Sequence, residues 1–265
     1  MTTPQPQRLP HAVLDLASRN RKALKIERLL NLASRQPPLR MLEIGTGAGG
    51  IAHYFGTHPQ LHCDVTAVDV SDNRLVHEGY SYRQVHSVEL PFDDASFDVV
   101  ISNHVIEHVG DAAAQAGHLA EIYRVLHPGG VGYLAVPCRW MLVEPHYRLP
   151  FLSWFPSWVA DLYVRAVGKG SHYDCRPLTV PALEAMLTKA GFRFQQKTGA
   201  GLKLTYQLEN PGALPYRLLF RWFPDWSFDL LRRVFPTLIY IVRKDITAND
   251  ASRTCRPDSS GQRVT

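Results

Sequence analysis

The chain has 265 residues, of which 45% are hydrophobic and 20% are charged, a composition typical of a globular protein with a sizeable core. Lysine and arginine number 29 against 24 acidic residues, so the formal net charge is +5. This excess is too small for a histone-like polycation, but it suits an acidic small molecule, a nucleic acid or an anionic membrane surface as partner. At about 150 residues per domain, the length fits one large domain or two small ones.

The cysteines and the N-terminal region indicate a reducing, cytoplasmic setting. The four cysteines are far apart and include no CxxC pair, so we expect neither a zinc ribbon nor a disulfide framework. The first residues lack the apolar core of a secretory signal. We also expect no membrane span, because the sequence contains no run of about 18 uncharged apolar residues.

An N-terminal arm is predicted over residues 1–38. Its first ten residues are polar and rich in proline, and over residues 11–33 leucines recur at helical spacing between basic residues. We therefore expect one or two amphipathic helices with a solvated basic face, ended by Pro37-Pro38.

Beyond the arm, short apolar strands alternate with helices. Strands are predicted at 40–44, 65–70, 82–86, 97–102, 131–136, 192–197 and 237–242, and helices at 51–58, between the second and third strands, at 112–126 and at 179–190. This alternation is typical of βαβ units, so we predict an α/β fold with a doubly wound, mostly parallel sheet that is covered on both faces. The last two strands are expected to form an antiparallel hairpin.

A glycine-rich loop follows the first predicted strand. Residues 45–50 read GTGAGG and match the pattern GxGxxG, and Asp69 lies about 20 residues further on, at the end of the second strand. Glycines allow a cofactor to approach the backbone closely, and a carboxylate at that position accepts hydrogen bonds from ribose hydroxyls. These residues alone fit an NAD(P)-dependent oxidoreductase as well as other enzymes that bind an adenosine cofactor.

Four segments in sequence order favour one of these classes of enzyme. They are LEIGTGAG at 42–49, LPFDDASFDVV at 90–100, SNHVIEH at 102–108 and EIYRVLHPGG at 121–130. Together they resemble the motifs of class I S-adenosylmethionine (SAM)-dependent methyltransferases, most of all the small-molecule branch (type 11) that includes quinone-biosynthesis enzymes. The resemblance covers residues 40–137 and 179–197. It implies SAM as the cofactor, S-adenosylhomocysteine (SAH) as the product, and a Rossmann-like seven-stranded sheet whose last strand is antiparallel.

The resemblance also assigns cofactor contacts to individual residues. The expected cofactor residues are Glu43, Gly45, Thr46, Gly47, Gly49, Asp69, Val70, Ser87, Val88 and Asn103. The alternating glycines would wrap the methionine part of SAM, and Glu43 would support their loop or meet the ammonium group of the cofactor. Asp69 would bind the ribose, Asn103 would lie under the methionine, and the residues after the second and third strands would contact the adenine. The family often carries an acidic residue at the position of His86, so a backbone contact to the adenine stays open here.

The candidate catalytic residues follow the fourth and fifth strands. Methyl transfer from a sulfonium needs mainly a nucleophile in line with the S–CH3 bond, and a base only for a hydroxyl of high pKa. Because histidine is the natural base near neutral pH, the candidates are His104, His146, Tyr147 and His172. Each also fits a structural role, as a helix cap, a core residue or a hydrogen-bonded lid residue. We expect no metal, although a site made by His104 and His108 with Glu107 stays open as an alternative.

Two aromatic insertions, at residues 138–178 and 206–235, are the distinctive parts of the chain. Within them, residues 151–167 and 214–235 combine tryptophan and phenylalanine with arginine. Such segments suit helical lids over a hydrophobic acceptor, or peripheral contact with a membrane interface. The basic residues are otherwise scattered and no RNA-binding signature occurs, so no nucleic-acid partner is expected.

We therefore predict a single methyltransferase domain over residues 1–244, followed by a disordered tail at 245–265. The expected reaction moves a methyl group from SAM to an oxygen, rather than a carbon or nitrogen, of a small acceptor that is hydrophobic or linked to a lipid or glycan. Two alternatives remain, an NAD(P)-dependent oxidoreductase and a non-catalytic adaptor of the same fold that associates with membranes. The sequence indicates no oligomeric state.

Overall fold

The computed structural model describes residues 15–214, 216–230 and 232–246. The Pro-rich start of the arm and most of the predicted tail lie outside these residues. The strands are β1 (Leu39–Ile44), β2 (Cys63–Asp69), β3 (Ser81–Gln84), β4 (Phe97–Asn103), β5 (Leu126–Pro137), β6 (Val143–Glu144), β7 (Leu149–Pro150), β8 (Arg193–Gln196) and β9 (Thr237–Arg243). The α-helices are α1 (Leu16–Leu30), α2 (Gly50–Gly56), α3 (Ala112–Val125), α4 (Ser157–Ala166), α5 (Val180–Lys189), α6 (Thr198–Glu209) and α7 (Asp225–Leu230).

Within the described ranges, seven of these strands form one sheet in the order β3-β2-β1-β4-β5-β9-β8. The first five strands of the chain pair in parallel, whereas β9 runs antiparallel to both β5 and β8. The strand order reverses between β1 and β4, which makes the carboxyl ends of these two strands the switch point where such folds bind ligands. The prediction of a doubly wound α/β fold with an antiparallel closing hairpin is confirmed.

Side chains of the central strands point alternately into two apolar layers, one on each face of the sheet. In β1, Met41 belongs to the layer under α1 and α2, whereas Leu42 and Ile44 belong to the layer under α3 and α5. In β4, Val99 and Val100 repeat this alternation, and all five side chains are buried. Burial on both faces explains why these strands read as continuous apolar runs. Each side chain of this size contributes about 1.5–3 kcal/mol when it is buried.

The helix α1 begins and ends at capping residues inside the predicted arm. Asp15 accepts hydrogen bonds of 3.1 Å from two first-turn amides, and Asn31 ends the helix in a left-handed conformation, with a φ of 51°. The expectation of a solvated basic face does not hold at Lys25, whose ammonium group donates to the hydroxyl of Thr205 in α6 at 3.1 Å. Burial lowers the pKa of Lys25, because the charged form loses water when α6 covers it.

The prediction of a helix between β2 and β3 is wrong. Residues 70–80 are bends and irregular backbone, and the carboxylate of Asp72 accepts hydrogen bonds from the backbone amide and the guanidinium of Arg74. This local bonding competes with the backbone hydrogen bonds of a helix. The amide of Leu75 donates to the carbonyl of Ala48 at 3.0 Å, so the segment lies against the glycine loop.

Both aromatic insertions are attached to the sheet where β5 ends and β9 begins. Pro137, the last residue of β5, is in register with Thr237, the first residue of β9. The amide of Cys138 donates to the carbonyl of Pro236 at 3.1 Å, so the first insertion leaves the sheet where the second one returns. The insertions contain α4 and α7, as the expectation of helical insertions requires. Among the helices of the described segments, none combines the length and apolar character needed to cross a bilayer.

Candidate cofactor and acceptor site

The glycine loop turns sharply between β1 and α2. Gly45, Gly47 and Gly49 have φ values of 73°, 53° and 83°, in the left-handed region that residues with a Cβ rarely adopt. A Cβ on Gly45 would lie 2.5 Å from Cγ2 of Val105, and a Cβ on Gly49 would collide with the hydroxyl of Tyr80. Glycine is therefore required at both positions, and the loop presents bare backbone at the carboxyl edge of the sheet.

Asp69 ends β2 beside this loop. Its Oδ2 accepts a hydrogen bond from the amide of Gly47 at 2.8 Å, and its Oδ1 accepts one from the amide of Val70 at 2.7 Å. An ionised carboxylate offers about four acceptor positions, so Asp69 retains capacity for ribose hydroxyls. The side chain of Val70 is 53% exposed and provides an apolar surface that suits a planar ring. The geometry fits both expected roles, which stay predictions.

Glu43 lies under the loop and is almost fully buried. Its Oε2 accepts a hydrogen bond of 2.7 Å from the hydroxyl of Thr46, so the two side chains brace the turn from within. Burial raises the pKa of Glu43 to about 8, against the opposing effect of hydrogen bonds from Thr46 and from the backbone of Ala52. The group is therefore mainly protonated at neutral pH. This favours loop support, the first of its two expected roles, over contact with an ammonium group.

The other expected cofactor residues reach the same edge from neighbouring strands. Asn103 is the last residue of β4, which pairs with β1, so it stands beside the start of the glycine loop. Ser87 and Val88 lie in the turn after β3, which pairs with β2 and ends beside Asp69. The structure thus brings the expected cofactor residues to one edge of the sheet.

His104 directly follows Asn103 and contacts a buried carboxylate. Its Nδ1 lies 3.2 Å from Oε1 of Glu107, and its Nε2 lies 3.2 Å from the hydroxyl oxygen of Thr237. Burial opposes ionisation of Glu107, but the hydrogen bond from His104 and the charges of His104 and His108 together lower the pKa of Glu107 below its usual value. Glu107 is therefore an ionised group held inside the protein next to the end of β4.

His146 reaches this place from the first insertion. Its Nδ1 lies 2.7 Å from Oε1 of the fully buried Glu144. The centroid of its ring lies 5.6 Å from that of His108 and 6.2 Å from that of His104. Burial opposes protonation of His146, but the hydrogen bond and charge of Glu144 outweigh it and raise the pKa of His146. Two of the four predicted catalytic residues, His104 and His146, therefore belong to one cluster.

Tyr147 and His172 lie beside this cluster in different surroundings. The hydroxyl of Tyr147 donates to Oδ1 of Asp174 at 3.0 Å, and burial and that carboxylate raise the pKa of Tyr147. This hydroxyl supports the insertion, which favours the lid role over chemistry. His172 is exposed and lines a cavity of about 270 Å³ together with Glu107.

Cys175, which no motif in the sequence singles out, faces two histidines. Its Sγ lies 3.9 Å from Nδ1 of His108 and 3.9 Å from Nδ1 of His146. Burial raises the pKa of Cys175, so it is a neutral thiol at physiological pH. A lone cysteine in an aromatic insertion has no recognisable spacing, and the histidines that it faces are 67 and 29 residues away in the chain. The contact of Cys175 with the two histidines follows from the path of the first insertion in the folded chain.

The chain matches known proteins over its central part. The family model described as a methyltransferase domain matches residues 42–134. The chain is 29% identical over 172 residues to a demethylmenaquinone methyltransferase of Chlorobaculum tepidum, covering 60% of this chain and 66% of that protein. It is 34% identical over 112 residues to a malonyl-(acyl-carrier protein) O-methyltransferase of Erwinia billingiae, covering 39% and 41%. The chain thus spans about two fifths to two thirds of the length of these curated relatives.

The fold matches solved structures as well. A SAM-dependent methyltransferase from Methanosarcina mazei aligns with a TM-score of 0.51 at 16% identity, covering 83% of this chain and 98% of that one. A likeness at this identity shows the fold alone. Together with the family match and the sequence relatives, it confirms the resemblance that the four ordered motifs indicated. Over residues 42–134 the chain carries the methyltransferase domain of that family, and its relatives support a place in the type 11 branch of the class I SAM-dependent methyltransferases.

Proposed function

We propose that this protein transfers the methyl group of SAM to an oxygen atom of a small hydrophobic or lipid-linked acceptor and releases SAH. One observation carries the proposal, which is that two sets of groups meet at the end of β4. On the cofactor side, the glycine loop after β1 lies between Asp69 at the end of β2 and Asn103 at the end of β4, and the pair of His104 and Glu107 begins one residue after Asn103. A cofactor site and an acid–base pair are thereby adjacent.

On the cofactor side, the chain's own groups suit SAM. The loop offers bare backbone at its glycines, and the carboxylate of Asp69 can accept charge-assisted hydrogen bonds, which contribute roughly 1.5–3 kcal/mol each. When bound, SAM would supply a methyl group that its sulfonium already makes electrophilic. The protein then has to hold the acceptor atom in line with that methyl group, which lowers the entropic part of the barrier.

We infer that His104 is the base for an acceptor hydroxyl. When Nδ1 carries the proton and donates to Glu107, 3.2 Å away, Nε2 carries the lone pair. Nε2 lies 3.2 Å from the hydroxyl of Thr237, in a position that an acceptor hydroxyl could take over. The ionised carboxylate of Glu107 stabilises the imidazolium that forms when His104 takes the proton. An acid–base pair of this kind favours transfer to oxygen.

The acceptor is proposed to be hydrophobic because the two insertions next to the site expose large aromatic side chains. Trp158 in α4 is 70% exposed, and Trp222 and Trp226 near the start of α7 are 74% and 69% exposed. The guanidinium of Arg221 lies 5.5 Å from the ring of Trp222. Tryptophan beside arginine suits a segment that rests on anionic headgroups, so we infer peripheral contact with an anionic membrane. The quinone in the name of the Chlorobaculum relative is an acceptor of this hydrophobic class.

Calorimetric titration of the full chain with SAM, SAH and NADH tests the cofactor. We expect SAM and SAH to bind, and Asp69→Ala to weaken SAH binding at least about tenfold, because it removes charge-assisted hydrogen bonds. Asp64→Ala, which removes an exposed carboxylate near the other end of β2, should leave the affinity unchanged. Binding of NADH without SAH would overturn the proposal. A screen of lipid, quinone and glycan extracts with labelled SAM then identifies the acceptor.

Liposome flotation tests the membrane contact. Wild-type protein should float with vesicles that contain phosphatidylserine and not with neutral vesicles, and the double variant Trp222→Ser/Trp226→Ser should stay at the bottom. Phe228 is unsuitable for this test because it is buried. Leu75→Ser, which replaces another exposed apolar side chain outside both insertions, is the matched control. Failure of the wild-type protein to float with either vesicle would reject the membrane contact and leave methyl transfer untouched.

A further inference from the structure

We propose that Glu107, His108 and His146 form a binding site for a divalent transition-metal ion, and that Zn²⁺ is the ion that this donor set fits best. The sequence led us to expect no metal and left open a site made by His104 and His108 with Glu107, which shares two ligands with the proposed one. The fold instead brings His146 from the first insertion to the turn after β4. Two imidazoles and one carboxylate are a ligand set of zinc sites that keep an open position for chemistry. The proposal concerns metal binding and does not depend on methyl transfer.

The donor atoms already lie close together. Nε2 of His108 is 4.0 Å from Oε1 of Glu107. One donor atom from each of the three residues, His146 included, lies within 4.8 Å of the other two. In a tetrahedral site with metal–ligand distances of about 2.0–2.2 Å, neighbouring donor atoms lie about 3.4 Å apart, so side-chain shifts of about 1.5 Å or less would close it.

One buried oxygen of the Glu107 carboxylate indicates a ligand at the proposed site. The side chain of Glu107 is completely buried, and its Oε1 faces the ring of His104 at 3.2 Å. Its Oε2 has no hydrogen-bond partner among the residues that the structure describes. A carboxylate oxygen that is buried without a hydrogen-bond donor is unfavourable, because it has lost its contact with water and gained no partner in exchange. A cation at Oε2 would remove this deficit.

The second nitrogen of each histidine faces a group that can orient the ring. Nδ1 of His146 lies 2.7 Å from Oε1 of Glu144, whose Oε2 accepts a hydrogen bond from the amide of Tyr147 at 2.7 Å. Nδ1 of His108 lies 3.9 Å from Sγ of Cys175. Metal-bound histidines usually donate their other N–H to a carboxylate, which fixes the ring with Nε2 toward the metal. Glu144 stands where such a positioning residue belongs.

The proposed site would join the first insertion to the edge of the sheet. Glu107 and His108 lie in the short turn after β4, whereas His146 lies between β6 and β7. A cavity of about 270 Å³ borders Glu107 and His108, so the open coordination positions would face a space that holds water or the oxygen of a small ligand. Imidazole donors favour Zn²⁺ over Mg²⁺ and Ca²⁺, which prefer oxygen ligands.

Metal titration of the full chain tests the proposal, after removal of any histidine tag and dialysis against a chelator. Zn²⁺ followed by calorimetry, and Co²⁺ followed by visible absorption, should each bind with one ion per chain. His146→Ala and Glu107→Gln should each weaken Zn²⁺ binding at least about tenfold, and Glu144→Gln should weaken it about tenfold through the orientation of His146. His53→Ala, which removes a histidine of α2 that contacts a backbone carbonyl, should leave binding unchanged.

Circular dichroism and SAH binding of the metal-free variants separate misfolding from loss of a ligand. Variants that keep their SAH affinity and lose Zn²⁺ support the site, and His146→Ala carries this test if Glu107→Gln does not fold. Equal Zn²⁺ affinity in the wild type and in His108→Ala/His146→Ala rejects the site. A wild-type chain that binds SAH and no Zn²⁺ rejects the metal alone. A chain that binds Zn²⁺ and no SAH supports the metal and rejects the proposed cofactor.

Discussion

The carboxylate of Asp69 and the backbone amide of Gly47 are joined by a hydrogen bond of 2.8 Å. Asp69 ends β2 and Gly47 lies just beyond β1, so the bond ties the tips of two neighbouring parallel strands together. The acidic side chain and the backbone that would surround the methionine are therefore held in one fixed arrangement before any ligand arrives. Changes to the loop are expected to act on the ribose contact as well.

Replacement of a loop glycine should damage both binding and stability. Gly49→Ala is expected to weaken SAH binding at least about tenfold and to lower the free energy of unfolding by about 1–2 kcal/mol, because alanine is disfavoured at positive φ. The added methyl group would also collide with Tyr80. Calorimetry and urea unfolding measure the two effects. At Gly212 a Cβ would meet nothing within 4 Å, so Gly212→Ala should change neither, and equal effects of the two variants would contradict this account.

The buried acid under the loop should make stability depend on pH. In the folded protein the pKa of Glu43 is raised from 4.5 to about 8, so between these values the folded state holds a proton that the unfolded state has lost. The contribution is complete below about pH 4.5 and is lost as the pH rises toward 8, with a slope of up to about 1.4 kcal/mol per pH unit. Urea unfolding between pH 5 and 8 should show this fall in the wild type relative to Glu43→Gln. Parallel pH profiles of the two proteins would reject the assignment.

The proposed base should affect turnover without affecting the cofactor. His104→Ala is expected to lower kcat by about 10²–10⁴-fold, the usual contribution of a positioned base, and to leave SAH affinity unchanged. Labelled methyl transfer to an identified acceptor measures the first quantity, and calorimetry measures the second. His127 lies at the amino end of β5, away from the site, so His127→Ala should keep full activity. If His104→Ala also keeps full activity, the acceptor needs no base from this residue.

The segment that follows β3 should depend strongly on Arg124 for its position. Arg124 in α3 donates to the carbonyl oxygens of Leu90 and Phe92 and to both carboxylate oxygens of Glu121. Arg124→Lys should lower the free energy of unfolding by about 1–3 kcal/mol, because an ammonium group cannot reproduce this forked set of bonds. Arg165 on α4 is exposed and donates to one carbonyl within its own helix, so Arg165→Lys should change stability by less than about 0.5 kcal/mol. Thermal or urea unfolding of both variants measures these changes in stability.

The sheet and the glycine loop could be predicted because each depends on residues that are close in sequence. The apolar runs around Leu42 and Val100 are buried on both faces, and the left-handed turns at Gly45 and Gly49 require glycine wherever that loop occurs. These features appear directly in the local pattern, and the comparisons confirm the family that they indicated.

The parts that could not be predicted depend on contacts between distant segments. The expected helix between β2 and β3 is absent because the carbonyl of Ala48 accepts a hydrogen bond from an amide of that segment and Asp72 binds Arg74. Likewise, no spacing in the sequence indicates that His146 would meet Glu107, which lies on the other side of the fifth strand in the chain. Packing determines the path of an insertion, so the periodicity of its residues does not predict that path.

The pairing of Pro137 with Thr237 separates two properties of the protein that can change independently. The first insertion begins directly after Pro137 and the second ends just before Thr237, so each can vary in length and sequence while β5 and β9 keep their register. The glycine loop and Asp69 belong to β1 and β2, in the other half of the sheet. Evolution can therefore exchange the acceptor while it conserves the cofactor. A chimera that carries another family member's insertions in place of residues 138–178 and 206–235 should keep its affinity for SAH and acquire the acceptor preference of the donor.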